Sequence, residues 1–111
     1  MHIDITPEAL LTQFDYHINN HTVAQINSAI ENTSGFDSFS KHLISLKDEI
    51  KHYDGFIALS NSHSYFKVKC ETDNSKENIK EFTDALIHWS GKYKVMLQQV
   101  ESKPTYYILG V

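Results

Sequence analysis

Tyr65-Phe66-Lys67-Val68-Lys69-Cys70 alternates without a break: Phe66, Val68 and Cys70 fall on one side of an extended chain, and Tyr65, Lys67 and Lys69 on the other. A period of two with lysine on the outer side marks a strand whose sheet has one packed face and one wet face. Just upstream, Phe56-Ile57-Ala58-Leu59 is a second short apolar run. The polar stretch 60–64 (Ser-Asn-Ser-His-Ser) between them reads as a hairpin loop. Such a sheet needs an apolar cover over its packed face, and the flanking sequence supplies one with helical spacing.

Downstream, Ile79, Phe82, Leu86 and Trp89 recur on one side of a helix expected over about 75–90, with Ser75 at its cap and Gly91 as its stop. Two further strands, about 93–100 and 105–110, flank the turn Glu101-Ser102-Lys103-Pro104. Upstream, three helices are expected. Thr6-Pro7-Glu8 combines a capping threonine, proline at the first helical position and an acid in the first turn, followed by Leu10, Leu11, Phe14 and Ile18. A second helix opens at Thr22 with Gln25 closing a capping box, carries Val23, Ile26 and Ile30, and stops before Gly35. A third, capped by Asp37, carries Phe39, Leu43, Leu46, Ile50 and Tyr53 and ends before Asp54-Gly55.

The order ααα-ββ-α-ββ predicts an α+β fold in which N-terminal helices are followed by a ββαββ unit, with an antiparallel sheet carrying the helices on one face. The chain reads as a single domain, 1–111, with an acidic helical part over about 1–54 and the ββαββ part over about 55–111. Roadblock-like and secretion-chaperone-like folds share such an order, and no residue motif selects among them. At 111 residues with 41 % hydrophobic residues, a core without disulfide or metal staples is expected. The stretch Met1–Glu8 has neither a basic nor an apolar signal region, no run approaches the ~20 apolar residues of a membrane span, and Cys70 stands alone. A cytoplasmic protein is the expectation.

Charge is unevenly placed. The net formal charge is −4, yet residues 1–40 hold five acids (Asp4, Glu8, Asp15, Glu31, Asp37) and no lysine, whereas residues 55–111 hold seven lysines against six acids. Arginine is absent from the whole chain. That absence removes the bidentate fork used to read guanine and phosphate, so a sequence-specific nucleic-acid reader is not expected.

No constellation of catalytic type emerges. Cys70 sits on the inward side of its strand, as a small buried hydrophobe would. There is no Gly-x-Ser-x-Gly elbow and no phosphate-binding glycine loop. Asp54 ahead of strand 56–59, with Lys67-Val68-Lys69 on the next, resembles the metal site of restriction-type nucleases. The resemblance fails at Lys67, a cation where the metal-binding acid belongs. Three helix-spaced pairs (His17 with His21, Glu49 with His52, Asp84 with His88) offer a metal-site alternative, but each supplies only two ligands. A second alternative is the outer sheet face, where Tyr65, Lys67, Lys69, Lys94, Met96 and Gln98 point together and could track a nucleic-acid backbone. Lysines there equally serve to guard a sheet edge.

The expectation is therefore a non-enzymatic protein-binding module without cofactor, a small acidic regulator or inhibitor. Its acidic helices, bearing Asp4, Glu8, Asp15, Glu31 and Asp37, would meet a basic site on a protein partner. An exposed sheet edge makes a homodimer conceivable on the same reading.

Overall fold

Thr6 starts the first helix as expected, its hydroxyl accepting the Ala9 N–H at 3.1 Å, in a computed structural model that describes residues 6–60, 63–71 and 75–111. Asp4 and positions 61 and 62 of the expected hairpin loop lie outside the described residues. Helix α1 (Pro7–Gln13) ends sooner than its apolar spacing implies. Asp15 adopts a left-handed conformation (φ 64°), the Tyr16 N–H reaches back to the Leu11 carbonyl at 2.9 Å, and the Asp15 N–H to that of Thr12 at 3.2 Å. These paired bonds form a Schellman stop, and they throw Ile18 out of the helix into the following loop.

Helix α2 (Asn20–Asn32) is capped by Asn19, three residues before the expected cap Thr22. The Asn19 side chain accepts the Thr22 N–H at 2.9 Å, and the Thr22 hydroxyl accepts the Asn19 N–H at 3.0 Å. Thr22 is thus the second member of the capping box, and Gln25 is left to hold the loop after the first strand, donating to the Ser60 carbonyl at 3.4 Å. Helix α3 (Phe36–Ile50) is capped by the left-handed backbone of Gly35, with Asp37 inside its first turn, and runs on as a short 3-10 turn over Lys51–Tyr53. Helix α4 (Lys76–Tyr93) passes through Gly91, which is exposed and meets nothing. Its stop is Lys94, in left-handed conformation at φ 57°, fixed by Ser90, whose carbonyl accepts the Val95 N–H and whose hydroxyl donates to the Val95 carbonyl.

Strands β1 (Gly55–Leu59), β2 (Phe66–Cys70), β3 (Met96–Gln99) and β4 (Thr105–Gly110) form one antiparallel sheet in the order β1-β2-β4-β3. The crossover through α4 therefore carries the chain past the place that β4 later fills, and β2 ends in the interior of the sheet. Phe66 lies opposite Leu59 and Ile108, and Val68 opposite Ile57 and Tyr106, so one face of three strands is a continuous apolar surface. All four helices cover that face. Their buried side chains (Leu10 and Leu11, Ile26, Leu43 and Leu46, Phe82 and Leu86) join the inward residues of the sheet in one cluster. Cys70 is buried there, its thiol donating to the Tyr53 carbonyl.

The free margin of β1 is guarded by Tyr16, whose hydroxyl accepts the Leu59 N–H at 2.9 Å. At the far end of β4, Ser34 in the α2–α3 turn pairs with the strand: its N–H reaches the Leu109 carbonyl and its carbonyl accepts the Val111 N–H at 2.8 Å. Gly110 makes this possible. Its φ is +107°, and a Cβ there would overlap the Ser34 backbone. Gly110→Ala is expected to lower unfolding stability by about 2 kcal/mol or more, read from urea denaturation. Lys94→Gly should raise it by about 1 kcal/mol, since glycine carries no Cβ penalty at a left-handed helix stop. An unchanged denaturation midpoint in either variant would contradict the backbone reasoning.

Candidate functional site

The four described acids of residues 1–40, Glu8, Asp15, Glu31 and Asp37, are all exposed. They divide by position. Glu8 and Asp37 occupy the first turns of α1 and α3, where a negative charge complements the helix N-terminus. Asp15 follows the C-terminus of α1 and Glu31 lies in the last turn of α2, where the same charge faces the negative helix end. Glu31 and Asp37 flank the α2–α3 turn. Asp15 precedes the opposite end of α2, a helix of 13 residues that spans roughly 20 Å at 1.5 Å per residue, so the acids form a spread field. Between Asp15 and the start of α2, Ile18 is 54 % exposed. Nearby, Asp15 shares a groove of about 290 Å³ with Phe14, Tyr16, Phe56 and Lys47, so one cation borders the acidic lobe.

The helix-spaced metal pairs do not converge. His17 lies in the α1–α2 loop while His21 is in the first turn of α2, so no continuous helix carries both. Glu49 and His52 are exposed at the α3 end and the 3-10 turn, and Asp84 and His88 are exposed on α4. Among the described residues, no three histidine, cysteine or acid side chains gather closely enough to hold an ion.

The face of the sheet away from the helices is open. Lys67 stands between Ala58 of β1 and Tyr107 of β4, and Lys69 between Phe56 and Thr105. Lys67, Lys69 and Tyr107 are half-buried, and Lys103 joins them from the β3–β4 turn. Together with Ser60, Val100 and Thr105 they line a groove of about 250 Å³ that has, among the described residues, three lysines and no acid in its wall. Aromatic rings adjoin it: His63 meets Tyr107 edge-on at 5.5 Å, and Tyr65 lies tilted to Tyr107 at 5.9 Å. A neighbouring groove of about 240 Å³, between α2 and the β1–β2 connection, shares Ser60 and is edged by His21, Gln25, His63 and Tyr65.

This arrangement corrects the expected face in two respects. Lys94 belongs to the stop of α4, and Lys103, expected only as part of a turn, reaches the groove because the turn folds over it. The half-buried partner of the adjacent pair Tyr106-Tyr107 is Tyr107, while Tyr106 is buried toward the core. Alternation along β4 puts one tyrosine inward and the other outward; their pairing with β2 depends on a strand order that no local pattern carries.

His42, on α3, has a proton affinity set by its surroundings. Its ring stacks on Tyr93 of α4 at 3.8 Å, and its carbonyl accepts the Trp89 indole N–H at 3.0 Å. Burial of the ring, then the ammonium groups of Lys41 and Lys92, pushes its pKa below 6.5. The residue is part of the α3–α4 seam and borders none of the grooves described.

No protein-family model matches the chain, and no curated protein or solved structure matches it either. Among the described residues, no helix is long and apolar enough to cross a membrane.

The His42 environment has a measurable consequence. The unfolded chain takes up this proton more readily than the folded one, so the contribution of His42 to stability is whole above pH 6.5 and is lost as pH falls through the lower folded-state value. An NMR titration should place its midpoint below 6.5, and Lys41→Gln and Lys92→Gln should each move it upward. A midpoint at or above 6.5 in the wild type would show that the seam does not exclude the charged ring.

Proposed function

We propose that the chain is a non-enzymatic protein-binding module, a small acidic regulator or inhibitor that presents the α1–α2 side of its helical layer to a basic site on a partner protein. The observation that carries this reading is the exposure of Ile18 beside Asp15, in a stretch of 40 residues without lysine or arginine. An isolated exposed apolar side chain needs no explanation by itself. One set in a predominantly acidic stretch, bordered by the cation Lys47, has the make-up of an interface anchor, where the apolar group supplies affinity and the charges steer the approach.

The positions of Asp15 and Glu31 support the same reading. Each opposes a helix end at a cost of roughly 0.3–1 kcal/mol, so neither serves the stability of its own helix. Glu8 and Asp37 add to the same field while also favouring their helices. A cytoplasmic setting belongs to the proposal, since a lone buried thiol such as Cys70 suits a reducing compartment.

The test is native mass spectrometry of the untagged protein purified from its source cells, alongside the variants Ile18→Ser and Asp15→Lys/Glu31→Lys. A stoichiometric protein partner is expected at 50 mM salt, lost in the charge-reversed variant, and weakened about tenfold or more by Ile18→Ser. A partner retained equally by both variants, or a bare chain throughout, would remove the acidic lobe from the explanation.

A further inference from the structure

The lysines of the open sheet face have a bland explanation as guards against edge-to-edge pairing, and the strand order removes it. Lysine blunts a sheet by occupying an edge strand. Here β2 is bonded to β1 on one side and β4 on the other, so Lys67 and Lys69 guard no edge. Their cross-strand neighbours are Ala58, Phe56, Tyr107 and Thr105, none of them an acid that would pair with the ammonium groups. A third lysine, Lys103, is brought into the same groove by the β3–β4 turn. Three like charges lining one concave wall raise the local potential and concentrate an anion there.

We propose that this groove binds one nucleotide unit of single-stranded nucleic acid, its phosphate held by Lys67, Lys69 and Lys103 and its base laid on the ring of Tyr107. The lysines and the ring together specify the ligand. Lysine binds phosphate as a point charge, and the arginine fork that would add geometric selection, for phosphate as for carboxylate, is absent, so the ring is what marks the anion as a nucleotide. A half-buried tyrosine between the lysines and the rings of Tyr65 and His63 offers the π-face on which a base stacks. Ser60 and Thr105, 6 % and 7 % exposed, line the same wall.

The volume, about 250 Å³, lies below the roughly 300–1,000 Å³ of a pocket that swallows a whole small ligand. It fits one unit of a longer strand whose remainder lies along the open sheet. Without arginine the groove reads charge and stacking, so little base preference is expected. Of the described acids of the first 40 residues, none lines the groove; Asp15 comes nearest, at the β1 margin beside Phe56.

The test is fluorescence anisotropy with end-labelled U12 and dT12 at 50 and 200 mM salt, on the full chain and on three variants whose folding is checked by circular dichroism. These are the groove triple Lys67→Gln/Lys69→Gln/Lys103→Gln, the single Tyr107→Leu, and a control triple Lys41→Gln/Lys51→Gln/Lys80→Gln on exposed helical and turn positions. Binding should weaken with salt at a log–log slope of about −0.7, the value for one neutralised single-strand phosphate. The groove triple should abolish that slope, Tyr107→Leu should cost about tenfold in affinity, and the control triple should bind like the wild type.

Absence of oligonucleotide binding at 50 mM salt overturns the proposal, as does equal loss in the groove and control triples. Displacement by UTP at the same nucleotide concentration would replace the strand by a free nucleotide, and displacement by polyglutamate at equal charge would replace it by any polyanion; either result overturns the assignment. None of these variants touches Asp15, Ile18 or Glu31, so this outcome is separate from that of the protein-binding test.

Discussion

The ring of Phe66 lies between two others, stacked on Phe36 at 5.4 Å and met edge-on by Phe14 at 6.0 Å. Phe36 in turn contacts Phe39, and Phe39 contacts Trp89, so a chain of aromatic contacts runs from the end of α1 through β2 to α3 and α4. Three helices are thereby indexed to one side chain on one strand. The register of β2 is the constraint beneath this. A slip of one residue would put Lys67 and Lys69 into the core and Phe66 and Val68 into water. Burying each large apolar side chain is worth about 1.5–3 kcal/mol, and an unpaired ammonium in the core would cost several, so the alternation in β2 admits one answer.

That answer also decides what faces outward. Once Phe66 and Val68 point at the helices, Lys67 and Lys69 must emerge on the opposite side, in line with Phe56 and Ala58 on one neighbour and Thr105 and Tyr107 on the other. The lysine groove is the reverse side of the core, fixed by the same pairings. Glu8, Glu31 and Asp37 are carried by helices of the layer on the other face, and Asp15 lies at the β1 margin, outside the lysine groove. The molecule is consequently polar in charge as well as in packing, though its net charge is only −4.

Periodicity carried most of the fold. The alternation in β2, the stripe Phe39, Leu43, Leu46, Ile50 of α3 and the stripe Phe82, Leu86, Trp89 of α4 all became buried as their spacing implies. What periodicity did not carry were the stops and starts. Ile18 stands four residues after Phe14, as a helical residue would, yet the left-handed turn at Asp15 intervenes. Thr22 and Asn19 are both good caps, and the reciprocal bonds between them make Asn19 the cap and Thr22 its partner. Gly91 looks like a stop, but the clamp between Ser90 and Val95 moves the left-handed residue on to Lys94. Each miss is a contest among several competent residues within a few positions, settled by backbone geometry that composition does not express.

The candidate sites were legible in charge and illegible in arrangement, for a related reason. A lysine on a strand has different meanings at the edge and in the middle of a sheet, and strand order is decided by contacts between residues some forty apart, such as Phe66 with Ile108. An acid on a helix likewise differs in meaning between its two ends: Glu8 and Asp37 favour the helices that hold them, and Asp15 and Glu31 oppose theirs. Folding alone favours charges that support their own helix, or that alternate in sign with their neighbours. Glu31, and Lys67 and Lys69 among their uncharged cross-strand neighbours, do neither, Asp15 opposes its helix end with Lys47 as the cation of its groove, and Ile18, three residues on, is an apolar side chain left in water. These departures lie on two separate surfaces of opposite sign, one on the helical layer and one on the sheet, which is why they are assigned to two different partners.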